Sequence, residues 1–96
     1  MALRDSYDFD SLVNEAERLV LEELESRIAR DADICRCQDC VLDMAAFALN
    51  NVKPAYRVSL MGSVYAKTAR HDEYVKEIIR AVDEAVRKVR SNPSHD

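Results

Sequence analysis

Tyr74-Val75-Lys76-Glu77-Ile78-Ile79-Arg80-Ala81-Val82-Asp83-Glu84-Ala85-Val86-Arg87-Lys88-Val89 carries the clearest helical signal in the chain. Tyr74, Val75, Ile78, Ile79, Val82, Ala85, Val86 and Val89 recur at steps of three and four, which places them on one face of an α-helix. Asp72 and Glu73 stand before this stripe, and Lys88 and Arg90 close it. Both placements complement the helix dipole, positive at its N-terminus and negative at its C-terminus. A helix is expected over about 72–91, with 92–96 as a tail.

Working back from that helix, two more segments show the same period. Phe9, Leu12, Val13, Ala16, Leu19, Val20, Leu24 and Ile28 predict a helix from about Phe9 to Arg30, with Asp8 or Asp10 as its N-cap. Val41, Met44, Ala45, Ala48 and Leu49 predict another from about Gln38 to Asn51. There Asn50-Asn51 is a plausible stop, because Asn tolerates the left-handed conformation common at helix ends. Between the second and third helices, Tyr56, Val58 and Leu60 alternate with Arg57 and Ser59, the period of a strand. Gly62 could turn the chain and Ser63 to Lys67 return it, giving a short extended or hairpin element within 55–67. The expected fold is mainly α: three helices with that element between the second and third.

The chain has 96 residues, enough for one domain spanning 1–96, with an ordered core over 7–91. Apolar residues make up 48% and charged residues 33%, the balance of a soluble globular protein. A net charge of −4 disfavours general binding to nucleic acid or anionic membrane. No apolar run resembles a signal peptide or a membrane span, so a cytoplasmic location is expected. The first and third apolar stripes exceed what so small a domain readily buries, which points to a homodimer.

Cys35-Arg36-Cys37-Gln38-Asp39-Cys40 holds all three cysteines of the chain. Thiolates at this spacing can converge on one zinc ion at about 2.3 Å. Cys40 would stand in the first turn of the second helix, where the dipole favours a thiolate. Tetrahedral zinc needs a fourth ligand, for which His71, just before the third helix, is the best candidate. Asp31, Asp33 and Asp39 are nearer in sequence. Two chains could instead share a two-zinc, six-thiolate cluster. Two readings compete with zinc: small buried apolar groups, and a redox pair of Cys37 and Cys40.

Residues 34 to 67 resemble the signature region of the ComFB family of late competence development proteins. The matching residues are Ile34, Cys35, Cys37 and Cys40, then Asp43, Ala46, Ala48, Leu49 and Asn50, then Pro54, Tyr56 and Gly62. The resemblance implies a dimeric helical protein with a regulatory role in competence or surface behaviour. It also implies zinc at the cysteines in some members, and binding of cyclic dinucleotides such as c-di-GMP or c-di-AMP in some. Such a ligand needs cations for its phosphates and flat or amide groups for its bases. The middle segment offers Asn50, Lys53, Tyr56, Arg57, Tyr65, Lys67 and Arg70. Taken singly, each has an ordinary alternative: Tyr56 as packing, Asn50 as a helix cap, and Arg57, Lys67 and Arg70 as solvated charges. Replacing Arg57 is accordingly expected to leave the fold intact.

Enzymatic readings find little support. The chain has no Gly-rich phosphate loop and no nucleophile elbow, and Asp43 reads as a structural polar group. Two functions stand: a cyclic-dinucleotide sensor that signals through a protein partner, or a zinc-stabilised dimeric interaction module with no small ligand.

Overall fold

The computed structural model describes residues 2–58 and 71–93. Asn14 decides where the first helix begins. Its backbone is extended, and its Oδ1 accepts from the Ala16 N–H at 3.1 Å. That bond satisfies a donor left over at the helix N-terminus. Helix α1 therefore runs Glu15–Arg30, and does not start at Phe9 as the periodicity predicts. Two 3-10 turns, Leu3–Asp5 and Phe9–Ser11, occupy the residues ahead of it. The Asp8 carboxylate accepts from the Asp10 N–H at 3.1 Å and the Ser11 hydroxyl at 2.8 Å. It caps a tight turn, and the chain straightens before α1 can form.

That straight piece is strand β1, Val13–Asn14, which pairs antiparallel with strand β2, Tyr56–Arg57. Val13 lies opposite Arg57 and Asn14 opposite Tyr56. The extended element is thus where the alternation puts it, but its partner precedes α1. The expected return strand, 63–67, lies outside the described residues. The pairing has a local cause. Asn14 Oδ1 also accepts from the Ala55 N–H at 2.8 Å, and the Glu15 N–H donates to the Ala55 carbonyl at 2.8 Å. One side-chain oxygen both caps α1 and receives the approach to β2.

Helix α2 runs Gln38–Leu49 and helix α3 His71–Ser91. Asn50 ends α2, as the Asn50-Asn51 stop expects, with its own backbone in the right-handed region at φ −76° and ψ −9°. The Asn51 side-chain amide donates to the Phe47 carbonyl at 2.7 Å, satisfying a carbonyl of the last turn. After α2, the Tyr74 hydroxyl donates to the Lys53 carbonyl, and Glu77 accepts from the Lys53 N–H at 3.1 Å. These bonds tie the 52–55 stretch to α3.

The three apolar stripes meet in one core. Val20 and Leu24 come from α1, Cys40, Met44 and Ala48 from α2, and Val82, Ala85 and Val86 from α3. Full burial of an aliphatic side chain stabilises by about 1.5–3 kcal/mol, so these residues hold the helices together. Helix α3 packs most extensively on α2 and next on α1. Ala45, Ala48, Ala81 and Ala85 are all buried, and their small side chains permit a close approach. Arg27 with Asp83 at 2.9 Å and Arg90 with Asp31 at 2.7 Å join the C-terminal part of α1 to α3. No described helix is long and apolar enough to cross a membrane.

Candidate functional site

The cysteine loop joins α1 to α2. Asp31 opens it: its Oδ1 accepts from the Asp33 N–H at 3.0 Å, and its carbonyl receives the Ile34 N–H at 3.3 Å. Ile34, only 4% exposed, then plugs into the core. Cys35 follows half-buried, Cys37 caps α2, and Cys40 is fully buried in the first turn. The Cys37 Sγ accepts from the Cys40 N–H at 3.4 Å, in the place usually taken by a Ser or Asp oxygen.

This path gathers the three sulfurs to within 4.8 Å of one another. Tetrahedral zinc with Zn–S bonds of about 2.3 Å needs sulfurs about 3.8 Å apart. The donor set therefore fits zinc after an inward movement of about 1 Å, which rotation about the Cα–Cβ bonds can supply. The Cys37 N–H bonds to the Cys35 thiol and is the largest influence holding its pKa below the ordinary value. Hydrogen bonds from the Cys37 and Cys40 thiols act in the same direction, against the effect of burial. That direction is the one a metal ligand needs, because the thiolate is the binding form.

Among the described residues the cluster consists of the three cysteines, and Asp31, Asp33 and Asp39 stand outside it. Asp31 is engaged elsewhere: Arg90, first, and the Asp33 N–H hold its carboxyl below the usual range. His71 opens α3, and its side chain is not among those described.

The residues assigned to a ligand divide three ways. Tyr56 is 66% exposed on β2, and Asn50 is exposed at the end of α2. Arg57 is half-buried rather than solvated: its Nε and Nη2 donate to Glu15 Oε1 at 2.9 and 2.8 Å. Lys67 and Arg70, like Tyr65, lie outside the described residues. Glu15 was not legible as part of this neighbourhood. It is 7% exposed and also accepts from Arg18 at 2.8 Å. Arg18 first, then Arg57, hold its carboxyl below the usual pKa against the opposing effect of burial. Nothing in the spacing of Glu15 marks it out, because its partner Arg57 stands 42 positions away.

Fold and site together define a class: a mainly helical domain in which, among the described residues, a three-thiol loop opens the second of three α-helices, and a two-stranded ladder ties the start of the first helix to the segment after the second. The chain belongs to the ComFB family, described as late competence development protein ComFB, whose family model matches residues 13–93. A solved structure, that of the late competence protein ComFB from Bacillus subtilis, is similar at 28% identity and a TM-score of 0.69. The match covers 86% of this chain and 92% of that one. Comparison with curated proteins gives no match.

Proposed function

We propose that the chain is a non-enzymatic regulatory protein of the ComFB type that binds a cyclic dinucleotide, c-di-GMP or c-di-AMP. It then signals through a protein partner in processes of the competence and motility kind. Tyr56 is the observation that carries this reading. It is exposed while its strand pairs with β1 and the N–H of the preceding Ala55 donates to the Asn14 side chain. An exposed aromatic on a fixed strand is a stacking platform for a purine, worth about 1–3 kcal/mol per base. Glu15 holds in place the guanidinium of Arg57, the next residue of the strand, whose remaining N–H groups are charged donors of the kind a phosphate needs. Asn50, Lys67 and Arg70 complete the proposed ligand-binding set. A ligand with two-fold symmetry suits a site repeated across the axis of a homodimer.

Isothermal titration with c-di-GMP and with c-di-AMP tests the reading. One of them is expected to bind the parent protein, and Tyr56→Ala to bind it about tenfold more weakly, in line with the loss of one stacked base. No heat from either nucleotide rejects the sensing role.

The thiol cluster favours a second reading, a zinc-stabilised dimeric interaction module without a small ligand. Cys35, Cys37 and Cys40 would hold the ion, with His71 as fourth ligand. Zinc in a closed thiolate-rich site supplies folding energy and no catalysis. A zinc site is compatible with either reading, and nucleotide titration separates the two.

A further inference from the structure

We propose that Arg36 is a positioning residue for the metal-binding thiols, clamping the loop that carries them onto the carbonyl end of α1. The inference rests on the metal reading of the cysteine cluster. Arg36 stands between Cys35 and Cys37 in the chain, and its guanidinium gathers three carbonyls. Nη2 donates to the Ile28 carbonyl at 2.5 Å, and Nη1 reaches those of Ala32 at 3.5 Å and Ile34 at 3.4 Å. Ile28 lies in the last turn of α1, where carbonyls lack partners within the helix. Ala32 and Ile34 belong to the loop. One planar fork thus spans the end of the helix and both limbs of the turn.

Two consequences follow for the thiols. The first is geometric. Ile34 is anchored in the core and Cys40 in the first turn of α2, so Arg36 fixes the stretch between these anchors, on which Cys35 and Cys37 hang. The second is electrostatic. The loop joins the C-terminus of α1, which carries partial negative charge, to the N-terminus of α2, which carries partial positive charge. Deprotonated sulfurs are favoured by the second and opposed by the first. The Arg36 cation sits on the Ile28 carbonyl in the last turn of α1 and offsets the negative end of that helix. Lysine would restore the charge but not the fork, because an ammonium is a point donor without a planar array of N–H groups.

Cobalt(II) is the probe, since its d–d absorption reports tetrahedral thiolate coordination while zinc is silent. The reduced 96-residue chain, Arg36→Ala and Arg36→Lys are titrated with cobalt(II), and circular dichroism follows their helix content and melting. Arg36→Ala is expected to bind cobalt about 10–100-fold more weakly, the range for groups that orient a ligand without touching the metal. Its d–d band should shift and weaken. Arg36→Lys should recover part of the affinity but not the parent band. If Arg36 only stabilises the fold, both variants melt lower without metal and keep the parent affinity and spectrum; that result overturns the proposal. If Arg36→Ala does not fold, Arg36→Lys decides by the same two readouts. A parent chain that binds no cobalt overturns the metal reading and this inference with it. A parent that binds, with variants that match it, overturns the role of Arg36 alone.

Discussion

Glu15 is the buried charged residue among those described, and its surroundings explain why it is tolerated there. A carboxylate taken out of water is costly unless its oxygens are paired. Arg18 takes Oε2 and Arg57 takes Oε1, at 2.8 Å each. Arg57 is therefore part of the architecture as well as a candidate phosphate donor. The expectation that its loss leaves the fold intact assumed a solvated charge, which its 23% side-chain exposure contradicts. Arg57→Ala is expected to lower unfolding stability by about 1–3 kcal/mol, the range for hydrogen bonds to charged groups. Urea denaturation at neutral pH measures it, and an unchanged midpoint would falsify the account. The pH dependence has a definite sign. The folded pKa of Glu15 lies below its ordinary value of 4.5. Its stabilising contribution is thus fully present above that value and is lost as pH falls through the lower folded pKa. The gap between parent and Glu15→Gln should narrow in acid and remain constant from pH 6 to 8.

At the scale of elements, the N-terminus of α2 serves two purposes through one residue. Cys37 caps the helix with its sulfur and belongs to the thiol cluster. Sulfur is a weak acceptor, whereas Ser is among the strongest N-caps. Cys37→Ser is therefore expected to keep or raise the melting temperature of the metal-free protein. The same change removes one of three thiolates, so it should abolish the rise in melting temperature on adding zinc and lower the bound metal from near one per chain. Melts with and without chelator, together with elemental analysis, read both effects. Equal losses in both conditions would mean that Cys37 is only a packing residue. Cys37→Ala separates the roles further, because it removes the cap and the ligand together.

On the scale of the molecule, the described chain leaves several large apolar side chains in water. Leu12 is 43%, Leu21 45% and Tyr56 66% exposed, and the three line one open groove with Arg4, Val13 and Arg18. Leu42 and Ile79 are exposed elsewhere. A domain of this size has little stability to spare, and burying leucines such as Leu12 and Leu21 against a second copy would add to it. A homodimer is the expected state in solution. Light scattering on the full chain at micromolar concentration should report twice the chain mass of 10.9 kDa; a monomer there rejects the dimer.

The three helices were legible because each is specified by its own period. Ala16, Val20 and Leu24, then Met44 and Ala48, then Ile78, Val82 and Val86 occupy the core as their spacing requires. The thiol cluster was legible for a similar reason, since its members lie within six residues and the chain cannot separate them far. What the spacing could not supply were the long-range partners. Phe9 and Leu12 keep the helical period, yet Asp8 spends its carboxylate on a 3-10 turn and Asn14 restarts the chain as a strand. The pairing of β2 with β1 was not legible for the same reason: antiparallel pairing depends on which extended segment is brought alongside, and α1 and α2 lie between the two. Likewise Arg57 meets Glu15 only once β1 and β2 have come together. By itself the sequence determined the local periodic structure and the clustered thiols, because both arise from interactions between near neighbours. Tertiary structure decided the ladder and the buried charge, because each is a contact between groups that only packing brings within hydrogen-bonding distance.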